Sequence, residues 1–175
     1  MSLGYQASYE FEAEIVIERP GDAVWSFLSD HRNIPTWRDA ARSVELVFGE
    51  SLTVGARYEY EMHDRVHGLL GNRRVPLQLM QVSPGSCFTS QTLGGPADIE
   101  EETSISRLGP AQTRVTLQGL VRLSRWRATL AFLIPPLRHS RQRVPLRDLA
   151  ALKDAIERSV PRPLTAHASS ADQDI

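Results

Sequence analysis

Apolar and polar side chains alternate at the start of this chain, and the same rhythm returns several times before it stops. Tyr9, Phe11, Ala13, Ile15 and Ile17 fall on one side, with Glu10, Glu12, Glu14 and Glu18 on the other. Period two is the repeat of a strand with one buried and one wet face. It recurs in Arg57 to Asp64, where Tyr58, Tyr60 and Met62 oppose Arg57, Glu59, Glu61 and His63. It recurs again in Thr113 to Ser124, where Val115, Leu117, Val121 and Leu123 alternate with Arg114, Thr116, Gln118 and Arg122. Val44 to Phe48, Arg74 to Val82, Ser86 to Leu93 and Asp98 to Leu108 read as further strands. Gly49 and Gly55, Ser83-Pro84-Gly85, Gly94-Gly95-Pro96 and Gly109-Pro110 mark turns between them, and Gly68 to Asn72 a loop. Short strands at a spacing of about ten residues predict an antiparallel meander.

Two other patterns flank the strands. Pro20-Gly21-Asp22 suits a helix start, and Val24, Trp25, Phe27 and Leu28 give that short helix an apolar face. Ser29-Asp30 can cap a second short helix, limited by Pro35, with Trp37 just beyond it. From Arg125 the residues are helix formers, and Leu146, Leu149, Leu152, Ile156 and Val160 repeat every three or four positions. Pro135-Pro136 and Pro145 predict a division into two or three helical pieces. Residues 1–8 read as a leader, 9–160 as one domain, and the small, polar residues 161–175 as a disordered tail.

The fold class that follows is α+β, with six to seven antiparallel strands curved around a long C-terminal helix. A sheet with one apolar face must cover it, and that helix is the large apolar element left to do so. A twisted sheet does not lie flat on a single helix, so the two enclose space, and that space is the expected site.

Composition narrows the function. The 175 residues carry a formal charge of −1 with 41% hydrophobic residues, so no global field recruits nucleic acid or anionic membrane. The cations are nearly all arginine, Lys153 being the single lysine. One cysteine, Cys87, excludes an internal disulfide and a cysteine-based metal site, and fits a cytoplasmic location. Met1 to Glu12 shows no secretory signal pattern. The longest apolar run, Ala128 to Leu137, is interrupted by two prolines and falls short of the roughly 20 residues of a membrane span.

In order and spacing these elements resemble the SRPBCC superfamily (START-like, helix-grip fold), and most closely its polyketide cyclase/dehydrase and lipid-transport branch. The residues that carry the likeness are Arg19-Pro20-Gly21-Asp22-Ala23-Val24-Trp25-Ser26-Phe27-Leu28, Trp37, Val44-Glu45-Leu46, Ser83-Pro84-Gly85 and Gly94-Gly95-Pro96. Thr113-Arg114-Val115-Thr116 and Leu149-Ala150-Ala151-Leu152-Lys153 complete it. The likeness spans about residues 8 to 160 and implies a helix-grip fold with an internal cavity. The family is functionally mixed, so it implies no single reaction.

The expected ligand-binding residues are Trp37, Tyr58, Tyr60, Met62, Phe88, Glu101, Thr103 and Phe132. Tyr58, Tyr60 and Met62 share an inward face, as plain core or as a cavity wall whose hydroxyls orient a ligand. Trp37 falls where the resemblance places a cavity entrance, whereas Trp25 and Phe27 read as core. Glu101 shares its face with Ile99, Thr103 and Ile105, so a regular register would aim a carboxylate inward, where it could serve as an acid or base. A bulge would instead turn it out with Glu100 and Glu102 as a solvated edge.

Other clusters carry less. His63, Asp64 and His67 straddle a strand and a loop and do not share a face, so no metal site is expected. Cys87 reads as a buried thiol. Arginines 122, 125, 127, 138, 141, 143 and 147 surround an apolar patch at Arg125 to Ile134. They read as a solvated helix face, or as a transient membrane-surface contact that passes a lipid-like ligand; RNA binding lacks aromatic platforms. The expected function is binding or transport of a hydrophobic small molecule (lipid, quinone or polyketide-like) without covalent chemistry or cofactor. A polyketide aromatase/cyclase or dehydratase using Tyr58, Tyr60 or Glu101 is the second reading, and a protein-interaction module the third.

Overall fold

The computed structural model describes residues 5–63, 72–93, 97–124 and 136–160. Seven strands form one antiparallel sheet: β1 (Tyr5–Ile17), β2 (Ala41–Phe48), β3 (Arg57–His63), β4 (Asn72–Ser83), β5 (Cys87–Thr92), β6 (Ala97–Gly109) and β7 (Gln112–Ser124). Their order is β1-β7-β6-β5-β4-β3-β2, so the chain meanders from β2 to β7 and β1 closes the far side. Helix α1 (Gly21–Ser29) and a 3-10 helix (His31–Thr36) link β1 to β2, and helix α2 (Pro136–Ser159) follows β7. This is the helix-grip arrangement of an α+β domain.

The alternation in the sequence becomes the two faces of this sheet. On β1, Ala13 and Ile17 are buried while Glu12 and Glu14 are exposed. β1 starts at Tyr5, inside the stretch read as a leader, and pairs with β7 from Tyr5–Ser124 to Ile17–Thr113. Asp30 caps the 3-10 helix, its carboxylate accepting from the Arg32 amide at 3.1 Å.

Helix α2 corrects one expectation. Pro145 does not divide it; the helix runs unbroken from Pro136 to Ser159. A proline forgoes one backbone hydrogen bond, which burial further along the helix offsets. Leu149, Leu152 and Ile156 are each fully buried, and a leucine or isoleucine so placed contributes about 1.5–3 kcal/mol. The helix packs on β1 and its end is tied there. Glu157 accepts from the Glu18 amide at 2.9 Å, Lys153 donates to the Val16 carbonyl at 2.7 Å, and Arg19 donates to the Val160 carbonyl at 2.5 Å.

Among the described residues no helix is long and apolar enough to cross a membrane. Asp64, His67, Gly94-Gly95-Pro96, the Arg125 to Ile134 segment with Phe132, and the tail from Pro161 lie outside the described residues.

Candidate functional site

Burial along the concave face is graded from one end to the other. Near α1 and the end of α2 the inward residues are sealed: Ile17, Val115 and Leu79 show no exposure, and Tyr58 is 3% exposed. Toward the opposite end of the same strands Tyr9, Phe11, Met62, Val75 and Ile99 are only half-buried, although they share the inward face. Among the described residues one end of the concave face is therefore packed, and the other is less fully covered, an open end in that sense.

The packed end is aromatic. The His31 ring stacks on Tyr58 with centroids 4.2 Å apart, and Phe88 lies 5.4 Å from His31 and 6.1 Å from Trp25. The Tyr58 hydroxyl accepts from the Leu52 amide at 3.0 Å and lies 3.3 Å from the Ser51 hydroxyl. Desolvation pushes the buried His31 imidazole down to a pKa of about 4, so it is neutral near pH 7. Tyr58 and Phe88, both expected to line the ligand site, are part of this core.

A polar group stands where the packed end gives way to the open one. Glu101 keeps a regular register, opposite Ser90 on β5 and Gly119 on β7, so no bulge turns it outward. Its carboxylate, with 16% of the side chain exposed, receives a hydrogen bond from Arg38 Nη2 at 2.6 Å. Arg38 Nε lies 3.8 Å from Asp148 on α2, too far for a hydrogen bond, and has no hydrogen-bond partner among the described residues. Burial disfavours the Arg38 cation, but Glu101 beside it outweighs that and holds the guanidinium above its usual range. Burial likewise pushes the Asp148 carboxyl up, against the pull of Arg38. The Arg38 guanidinium also lies 4.9 Å from the Trp37 ring centre, a cation–π contact over a tryptophan that is 6% exposed.

Tyr60 completes the group. It is 5% exposed, and burial raises its pKa well above the ordinary phenol. Its hydroxyl makes no hydrogen bond to any described residue, unlike that of Tyr58. Thr103, 3% exposed, stands on the same face of β6 as Glu101, two residues along. Gly119 opposite Glu101 leaves room that Phe11 fills: a Cβ there would sit 2.7 Å from the Phe11 ring and 2.5 Å from the Glu100 carbonyl.

The structure thus brings Trp37, Tyr60, Glu101 and Thr103 to one inward region, with Met62 at its half-buried rim. Two members were not read from the sequence. Asp148 carried a signal, since it lies four residues before Leu152 on the flank of the apolar stripe of α2. Arg38 carried none, because its reach to β6 depends on how the segment after the 3-10 helix lies across the sheet. Chemically, the group offers a phenol, a guanidinium and two carboxylates among aromatic and aliphatic walls. Among the described residues no cluster of histidine, cysteine, aspartate and glutamate is placed to hold a metal ion.

The opposite, solvent-facing side carries an open groove of about 760 Å³ between Glu10, Glu12, Met80, Glu100, Glu102 and Gln118. Most of these side chains belong to the wet face, and the groove is separate from the Tyr60 region.

A family model described as polyketide cyclase / dehydrase and lipid transport matches residues 8–157. No curated protein sequence matches the chain. Solved structures are similar in fold. A Thermus thermophilus protein superposes with a TM-score of 0.68 at 17% identity, covering 87% of this chain and 100% of its own. The Zhui aromatase/cyclase from Streptomyces sp. R1128 gives 0.68 at 14% identity, with 89% and 97% covered. Norcoclaurine synthase from Thalictrum flavum, in complex with dopamine and hydroxybenzaldehyde, gives 0.60 at 14% identity, with 87% and 86% covered.

Proposed function

The chain belongs to the polyketide cyclase / dehydrase and lipid transport family, and from that premise we propose that it binds a small hydrophobic molecule against the open end of its concave face. The ligand's ring or chain lies on Trp37 and Met62, and its polar group meets Tyr60 and the Arg38–Glu101 pair. The observation that carries this reading is Arg38 Nε, a buried donor without a hydrogen-bond partner among the described residues, set beside the Tyr60 phenol and the inward Glu101 carboxylate. A buried donor left unsatisfied costs about 1–3 kcal/mol, and a ligand's oxygen or a water beside it would remove that cost. Norcoclaurine synthase, a neighbour in fold, has been solved with two small aromatic molecules, which supports an aromatic ligand here. Phe132, expected in the same lining, and a membrane-surface contact through Arg125 to Ile134 stay open proposals.

The test is saturable binding. Titration of the protein into N-phenyl-1-naphthylamine, an uncharged fluorescent probe, is expected to give a stoichiometric enhancement that aromatic phenols and ketones displace. Tyr60→Phe is expected to weaken the displacing phenols several-fold. Absence of saturable enhancement, together with no co-purifying small molecule in native mass spectrometry, refutes the reading.

A second reading is favoured by the inward placement of Glu101 beside Arg38. In an aromatase/cyclase or dehydratase, Glu101 would take a proton from the carbon next to a ketone, with the Tyr60 hydroxyl and Arg38 stabilising the enolate oxygen. Turnover of a linear poly-β-ketone by the wild type and its loss in Glu101→Gln, with probe affinity kept, would establish it. An inert wild type leaves binding alone.

A further inference from the structure

An arginine beside an apolar binding region is well suited to hold a ligand's carboxylate, since its guanidinium can donate to two oxygens at once. Arg38 stands in such a place, but its charge is already met. Its Nη2 donates to Glu101 at 2.6 Å, and its Nε lies 3.8 Å from Asp148 Oδ2. Glu101 belongs to β6 and Asp148 to α2, so the cation sits between a carboxylate of the sheet and one of the helix.

The two carboxylates differ in what they do for Arg38. Glu101 makes the hydrogen bond that fixes it. Asp148 adds a negative charge without satisfying the donor, and Nε keeps no hydrogen-bond partner among the described residues. The Asp148 side chain is 13% exposed, so salt and water screen it less than they would a surface carboxylate. Its neighbour Arg147 is 64% exposed and forms an ion pair with Asp39. Among the described residues, the Arg38 cation thus meets two anions, and the trio carries one excess negative charge.

We propose that Asp148 is a specificity-determining residue: the excess carboxylate it sets beside Arg38 restricts the site to uncharged ligands and excludes carboxylates of the same shape. An uncharged oxygen can accept from Arg38 Nε without meeting Asp148 as a like charge. An ionised carboxylate within hydrogen-bond reach of Nε would lie no farther than about 7 Å from Asp148 Oδ2. Like charges that close, and only partly in water, lower affinity by about tenfold or more. This assignment deepens the binding reading above and rests on it.

The test compares 2-naphthamide with 2-naphthoate, which share a shape and differ in charge, as displacers of N-phenyl-1-naphthylamine from the full chain. At about pH 8, well above the usual carboxylate range, the acid is ionised and so is Asp148, whose carboxyl burial raises against the pull of Arg38. The wild type is expected to prefer the amide by about tenfold or more. Asp148→Asn keeps the size of the side chain and removes its charge, and is expected to narrow that preference about tenfold by admitting the acid. Asp148→Ser also removes the charge and should narrow it in the same way, so a single poorly folded variant does not decide the outcome. Asp148→Glu keeps the charge and should keep the preference. A wild type that takes the acid as readily as the amide, or neutral variants that retain the wild-type preference, overturns the role of Asp148 and leaves the binding reading standing. If neither the wild type nor any variant binds the probe, the binding reading falls, and the assignment with it.

Discussion

Tyr58 and Tyr60 project from one face of β3, two residues apart, into different surroundings. Tyr58 is stacked on His31 and hydrogen-bonded to the Leu52 amide. Tyr60 is as deeply buried, yet its neighbours are charged: Arg38 and Glu101 both act on its phenol electrostatically. The difference marks the border between the packed end of the concave face and the open end. At the packed end the terminal half of α2 fills the space with leucines. At the open end α2 presents Asp148 instead, and the segment after the 3-10 helix supplies Arg38 to meet it. The same strands are therefore sealed at one end and half-buried at the other, because what covers them changes, and the proposed binding falls at the second end.

Mutations can break or sharpen that contrast. The largest effect is expected at the packed end. Leu152→Ala, at a site with no exposure, should cost about 2–5 kcal/mol in denaturant unfolding. Met62→Ala, at the half-buried rim, should cost about 1 kcal/mol, since a side chain already in contact with water loses less. Equal costs would mean that the two ends are packed alike.

The next effect is on pH dependence. His31 has its pKa lowered by burial from 6.5 to about 4, so between these values the unfolded chain binds a proton that the folded one refuses. Its contribution is fully present above about pH 6.5 and is lost as the pH falls toward 4, roughly 2 kcal/mol of it between pH 7 and 5. Asp148, whose carboxyl burial raises, acts in the opposite direction and is common to both proteins in the comparison. His31→Phe should therefore flatten the acid-side loss of stability relative to the wild type, as read from unfolding midpoints across that range. Parallel profiles would show that His31 is not sealed in the packed end.

Glu101→Leu should cost about 1–3 kcal/mol by leaving Arg38 half-buried without its closest partner. Adding Arg38→Met should recover most of that loss, because an apolar pair needs no compensation. A double variant no more stable than Glu101→Leu would mean that the ion pair is not the source of the cost.

The smallest effect returns to the tyrosines. Tyr58→Phe removes a bonded hydroxyl and should cost about 1 kcal/mol. Tyr60→Phe removes one without a partner among the described residues and should be nearly neutral in stability while altering ligand affinity. If the two cost the same, Tyr60 is core.

Much of the fold was legible because it rests on local repeats. The alternation at Tyr9 to Ile17 and at Thr113 to Leu123 placed β1 and β7 and assigned their faces, since a strand has only two sides. The leucine spacing from Leu149 to Ile156 placed the buried stripe of α2. Pro145 misled, because a local penalty was overridden by burial further along the helix. Of the site, the sequence left Glu101 either inward or turned out by a bulge, and only the regular pairing with Ser90 and Gly119 removed the bulge. Tyr58 and Phe88 showed the limit of the method: an inward direction does not say whether space or a neighbour waits there.

What the sequence determined by itself was the set of strands, their inward faces and the covering helix, because hydrophobic periodicity acts between residues close in the chain. What only the tertiary structure decided was the meeting of Arg38, Glu101 and Asp148, from three elements distant in sequence. Charge pairs act through space, and no local pattern records which arginine will cross a sheet to reach which carboxylate.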